Sequence, residues 1–317
     1  EIRLSLVGSE MCIRDRSFNQ SNYIGATIAS VLEQSYANIE YFIIDGGSTD
    51  HTVDILKACD DPRVWWVSEP DNGQSDAINK GLRLASGKYV SYLNSDDLLL
   101  PNAVQFIVDY FERHPETALV YSDCAFIDTE GVEIKILQAT SFNVSDMIIG
   151  MQTILQPGTF WRRTLTERIG LMDETLHYTM DADYWLRVAL AGYHLQYVPG
   201  TRSAFRLHSA SKTVSQSAGF WKDWRVMLDK SYGAQSIPET ITGLKEVAYQ
   251  RLEWYDLKND WANGIQDRHA LRPFLTSGML SRRIIARLMW VESFTGIPLL
   301  RWASALSMRI RGVKIIG

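Results

Sequence analysis

Two hydrophobic periods alternate along most of this chain, and the switches between them predict its elements. Ile39-Glu40-Tyr41-Phe42-Ile43-Ile44 and Tyr89-Val90-Ser91-Tyr92-Leu93 are short, largely apolar runs that read as buried strands. Arg63-Val64-Trp65-Trp66-Val67 and the segment from Ala118 to Asp123 read likewise. Between them the spacing is helical. Ile24, Ile28, Val31 and Leu32 make one face, and Val53, Ile55 and Leu56 make a second behind caps offered by Ser48-Thr49-Asp50. Further helices are expected from Ser75 to Ala85, stopped by Gly87, and between Pro101 and His114, with a hairpin around Glu130-Gly131. The rhythm predicts an α/β fold, Rossmann-like, with a mixed, mostly parallel sheet flanked by helices.

Residues 1–16 do not fit this pattern. Ser5 to Arg16 resembles a translated sequencing adapter more than a protein segment, although Ile2, Leu4 and Leu6 alternate as an edge strand would. Arg14 and Arg16 also suit a central parallel strand poorly, because such strands are normally apolar throughout. The expected organisation is a non-native leader over 1–16, a catalytic domain over 17–215 divided at 123/124, and a helical C-terminal extension over 216–317.

Composition narrows the classes. With 317 residues, 46% hydrophobic and 22% charged, the chain can bury one large core or two modest ones. A net charge of −5 gives no reason to expect nucleic acid as a partner. Cys12, Cys59 and Cys124 have no metal-ligand spacing and form no even set, which points to a reducing, cytoplasmic setting. No run of 18 uncharged apolar residues predicts a spanning helix. The charge is uneven, however. Residues 271–317 hold eight Lys or Arg against Glu292 alone, near +7, which leaves the remainder near −12. Arginines interleaved with Ile284, Leu288, Trp290 and Trp302 suit a helix lying on an anionic membrane, peripheral at its inner face, and equally a helix packed on the acidic domain.

The chemistry gathers where strands end. Asn94-Ser95-Asp96-Asp97 puts adjacent carboxylates after the Tyr89 strand, at the edge where open α/β sheets bind ligands. Such a pair can hold a divalent cation against phosphates, or simply shape a turn before the next helix. Asp45-Gly46-Gly47-Ser48-Thr49-Asp50 and Ser17-Phe18-Asn19-Gln20 fall at the same edge, and the paired glycines allow close approach of a ligand to backbone. In Gly73-Gln74-Ser75-Asp76-Ala77-Ile78-Asn79-Lys80-Gly81, Asp76 and Asn79 either face a ligand or serve as a cap and a solvated side chain.

Ser17 to Gln20, Ile43 to Asp50, Asp71-Asn72-Gly73-Gln74, Leu93 to Asp97, Met180-Asp181-Ala182-Asp183 and Arg206-Leu207-His208 occur in an order that resembles the family 2 glycosyltransferases. The resemblance implies an inverting enzyme of the GT-A fold that takes a nucleotide-diphosphate sugar, a UDP-sugar first among them, and a divalent Mg or Mn. A saccharide or lipid-linked acceptor follows, in cell-surface polysaccharide or glycolipid synthesis. Carried over by position, the donor lies against Ser17, Asn19, Asp45, Gly46, Asp76, Asn79 and Asp96, with Asp45 at the nucleoside and Asp96 at the ribose. Asp97 and His208 are implied at the metal, and Arg206 and Lys212 at the diphosphate. Some relatives carry a second acid after the strand acid; this chain has Gly46.

Asp181 opens an apolar-spaced helix and matches the family's base; as an N-cap it would look the same. Asp183 is placed one shell out. Gln156 and Trp161, in Gln156-Pro157-Gly158-Thr159-Phe160-Trp161, resemble the acceptor floor, although most tryptophans belong to cores. A sugar-phosphate nucleotidyltransferase and a catalytically silent sugar-nucleotide-binding module are the alternatives.

Overall fold

The computed structural model describes residues 10–152, 154–209, 211, 217–234, 239–263, 267–275 and 289. Four parallel strands form one side of its sheet: β1 (Met11–Ser17), β2 (Ile39–Asp45), β3 (Val64–Ser68) and β4 (Tyr89–Asn94), in the order β3-β2-β1-β4. Helices α1 (Ile24–Leu32), α2 (Thr52–Ala58) and α3 (Gln74–Leu84) make the crossovers. Next come β5 (Leu98–Leu99), α4 (Ala103–Arg113), β6 (Leu119–Ile127), β7 (Glu133–Leu137) and α5 (Val144–Ile148). The set continues with β8 (Thr159–Arg162), α6 (Arg163–Ile169), α7 (Met180–Leu190) and β9 (Leu195–Arg206). β8 runs antiparallel to β4 and to β6, while β9 is parallel to β6, so the sheet is mixed and mostly parallel. Ile13, Ile43, Tyr41, Leu93, Val104, Ile107 and Phe111 form the core beneath the first half.

The structure differs from expectation at the start of the domain. Met11–Ser17 is not an edge strand; it lies between β2 and β4. Arg14 is only 1% exposed there, paired with Glu40 at 3.4 Å and stacked over Phe42 with its guanidinium 4.7 Å from the ring. Gly81 makes room for it, since a Cβ there would lie 3.1 Å from the Arg14 side chain. The burial is incompletely compensated, with Arg14 Nε and Nη1 left without partners and Asp15 pushed up to about 7, chiefly by burial.

Two compact units divide after Lys245. The helix α8 (Ser217–Gly233) belongs to the first, because Asp223 accepts the backbone N–H groups of His177 and Tyr178 at 2.6 and 2.7 Å, and Lys230 pairs with Asp173. A short α9 (Glu239–Thr242) follows. The second unit holds α10 (Lys245–Ala262) and α11 (Arg268–Leu275), and Trp254, Leu257, Trp261, Leu271 and Met289 form its own core. Among the described residues no helix is long and apolar enough to cross a membrane. Most of the basic tail over 271–317 lies outside the described residues.

Candidate active site

Strand register brings the three chemical loops together. Ser17 is level with Asp45, and Arg16 with Asn94, so the ends of β1, β2 and β4 open onto one edge. At β2 the Asp45 carboxylate is fully occupied by its own turn. It accepts N–H groups of Gly47 and Ser48 at 3.2 and 2.9 Å, and hydroxyls of Ser48 and Ser68 at 2.5 and 2.7 Å. Gly47 adopts φ +80°, which closes that turn without a Cβ clash. Asn19, at φ +52°, stitches the first loop to the second: its Oδ1 accepts from Thr49 N–H at 2.9 Å and its own N–H donates to Ser48 Oγ at 2.7 Å.

On α3 the candidate donor contacts are spent on scaffolding. Asn79 donates to the Met172 carbonyl and Glu174 and accepts from Met172 N–H, all at 2.9 Å, so it fastens α3 to the segment before α7. Asp76 accepts from Asn72 N–H at 3.0 Å and pairs with Lys80 at 3.5 Å. The Asn72 N–H holds the Asp76 carboxyl below the usual range.

After β4 the two carboxylates part. Asp97 is buried, and its oxygens accept from Arg206 N–H at 3.0 Å and Asn94 Nδ2 at 3.1 Å. Burial, and then the Asp96 charge, raise its carboxyl well above the usual range. Asp96 instead reaches His208, whose Nε2 lies 2.9 Å from Asp96 Oδ2. The residue facing His208 is therefore Asp96, where Asp97 was expected, because the β4 turn points successive side chains in opposite directions. Tyr23 packs on the His208 ring at 5.0 Å and fixes its orientation. Arg206 does not reach toward a diphosphate: it is buried, donating to the carbonyls of Asp96, Asp128 and Thr129 at 2.9 to 3.2 Å. Lys212 lies outside the described residues.

On the acceptor side, Asp181 occupies the first turn of α7, and Thr179 sits at the cap position. Its Oδ1 accepts the adjacent Ala182 N–H at 2.8 Å, and burial pushes its carboxyl up to about 6. The charges of Asp181 and Asp97 both act on Tyr92, whose hydroxyl burial already raises well above its ordinary value. Tyr92 thus lies within electrostatic reach of both acids. Gln156 donates to the Tyr92 carbonyl and accepts from Asn94 Nδ2 at 3.2 Å. Asp183 is buried and bonded to Arg187 at 2.7 Å, a helix strut. Among the described residues no group of three or more His, Cys, Asp and Glu side chains is arranged to hold a metal ion.

Residues 17–164 match the family described as Glycosyl transferase family 2. The chain carries a family 2 glycosyltransferase domain. An uncharacterized glycosyltransferase of Rickettsia prowazekii is 29% identical over 182 residues, 54% of this chain and 55% of its own length. Chondroitin synthase of Escherichia coli is 38% identical over 117 residues, 36% of this chain and 17% of its own. The chain thus spans about half or less of the length of these two curated relatives. Among solved structures, S. aureus TarS 1-349 in complex with UDP-GlcNAc has a TM-score of 0.60 at 14% identity, covering 89% of this chain and 81% of that one. Mannosyltransferase PcManGT from Pyrobaculum calidifontis, in complex with GDP-Man and Mn2+, has a TM-score of 0.56 at 18% identity, covering 94% and 80%. These likenesses establish the GT-A fold.

Within the glycosyltransferase domain, sequence reasoning missed Asn94 as a hub. Its Oδ1 accepts from Gln74 at 2.8 Å, while its Nδ2 serves Asp97 and Gln156. The signal was present, since Asn94 opens the motif that carries the acids. Trp161 departs from the acceptor floor. It is fully buried, bonded to Thr166 at 2.9 Å and packed edge-on against Trp185 at 5.5 Å. Trp161→Ala should therefore cost about 3–5 kcal/mol of stability, read as a lower urea midpoint. Unchanged stability with a weaker acceptor KM would return Trp161 to the acceptor site.

Proposed function

We propose that this domain is an inverting glycosyltransferase that moves a sugar from a nucleotide-diphosphate donor to the hydroxyl of a saccharide or lipid-linked acceptor. What carries the reading is the Asp96 and His208 pair just after β4, together with an Asp181 pushed up to about 6, whose charge reaches Tyr92 in that same strand. Asp181 takes the proton of the acceptor hydroxyl as its oxygen attacks the anomeric carbon from the face opposite the departing diphosphate. A carboxylate of that basicity is ionised at neutral pH yet a better base than an ordinary aspartate.

The side chains suit a divalent cation. Asp96 and His208 converge within hydrogen-bond reach; the carboxylate is the oxygen donor that Mg and Mn prefer, and the imidazole is a first-row transition-metal donor that favours Mn over Mg. Asp96 and His208 would hold such a cation, and two side chains alone would hold it weakly, so its binding would be coupled to that of the donor. The cation, when bound, supplies charge that stabilises the leaving diphosphate. Asp97 and Arg206 hold this corner in place from below.

Binding of UDP-GlcNAc by TarS and of GDP-Man with Mn2+ by PcManGT supports a nucleotide-sugar donor here. The test is calorimetric titration of nucleotide sugars with Mn2+ and with chelator present. Cation-dependent binding of at least one supports the reading; no binding of any donor under either condition would contradict it.

A further inference from the structure

We infer that Asp71 is the nucleobase acceptor of the donor site, and that it selects bases presenting a ring N–H beside a carbonyl, as uracil and guanine do. This rests on the nucleotide-sugar reading above. The Asp45 carboxylate accepts four hydrogen bonds from its own turn and Ser68, leaving it saturated. The next position, Gly46, offers no side chain. The space a side chain there would fill is taken by Asp71, from the loop between β3 and α3: a Cβ on Gly46 would meet Asp71 Oδ2 at 2.5 Å.

The two Asp71 oxygens are not equivalent. Oδ1 accepts the Gly73 N–H at 2.9 Å and so anchors the carboxylate, while Oδ2 is buried without a hydrogen-bond partner. An unpaired carboxylate oxygen enclosed by protein is costly unless a donor reaches it. Gly46 connects it to the ligand edge, since Gly46 N–H bonds the carbonyl of Ser17 at 2.9 Å at the end of β1. Ser17 Oγ is also buried and unpartnered. A fixed acceptor beside Gly46, and an unpaired hydroxyl on the residue whose carbonyl Gly46 bonds, supply the acceptor and donor that complement an N–H next to a C=O. Uracil offers this through N3–H and O4, guanine through N1–H and O6. Cytosine and adenine place a bare ring nitrogen where the carboxylate needs a hydrogen, and are disfavoured.

The experiment measures Kd for UDP, GDP, CDP, ADP and inorganic pyrophosphate with Mn2+, on the full chain and two variants. Wild type should prefer UDP or GDP over CDP and ADP by about 10- to 100-fold. Asp71→Asn keeps the Oδ1 cap but aims an amide N–H2 at the base. UDP and GDP should weaken by the same factor, with CDP, ADP and pyrophosphate little changed. Gly46→Ala leaves Asp71 in the chain but displaces its Oδ2, and should reproduce the loss of base preference. Equal weakening of all five ligands would overturn the inference and mark Asp71 as a turn residue, as would unchanged UDP and GDP affinity in both variants. Wild type binding none of the nucleotides would overturn the donor reading itself, and the inference with it.

Discussion

Asp96→Ala should abolish cation-dependent donor binding while the protein stays folded. Asp96 is the carboxylate that meets His208, and its side chain makes no bond that holds the sheet together. Loss of an outer partner of a metal ligand typically costs 10- to 100-fold in affinity, so loss of a ligand should weaken the Mn2+-supported donor complex by at least about 100-fold. Asp97→Asn makes the contrast. Its oxygens receive Arg206 N–H and Asn94 from within the core, and an amide keeps one acceptor there. Some stability should be lost and donor binding largely kept. Titration of both variants with and without chelator checks the assignment. A donor affinity in Asp96→Ala equal to wild type, or a larger loss in a folded Asp97→Asn, would exchange the two roles.

The fold was legible because strand and helix periods are strong over β2, β4, α1, α3 and α4. What the sequence concealed is mostly contact between distant segments. Asp96 and His208 lie 112 residues apart, and nothing local says which of two adjacent acids the histidine meets. Asn79 and Arg206 carry the composition of ligand contacts, yet their hydrogen bonds go to loop carbonyls that the fold brings to them. β1 is hard to read from sequence for a different reason. Two arginines in a central strand violate the apolar rule, but Glu40, Phe42 and the missing side chain of Gly81 together make a place for Arg14. Trp161 shows the reverse case: a tryptophan within an acceptor-like motif is packed wholly into the core.

Asp181→Asn should have the largest effect on turnover, a fall of about two to four orders of magnitude, with donor affinity nearly unchanged. The wild-type rate should also drop about tenfold per unit below pH 6, because a base with its carboxyl pushed up to about 6 becomes protonated there. Stability should move the other way. The folded state holds the Asp181 proton more tightly than the unfolded chain, whose carboxyl titrates near the ordinary 3.8. Ionisation therefore costs nothing below about pH 4 and its full amount above about pH 6. Replacing the carboxylate with an amide removes that cost, so the variant should melt no lower than wild type at pH 7. A helix-capping role would instead leave turnover intact, since Asn caps about as well as Asp.

The decisive measurement is nucleoside diphosphate release from a panel of nucleotide sugars with Mn2+, by wild type and Asp181→Asn side by side. Expected is release by wild type from at least one donor, reduced by about two to four orders of magnitude in a variant that binds the same donor equally well. Equal release by both proteins, or donor binding without release by wild type, would contradict catalysis by Asp181.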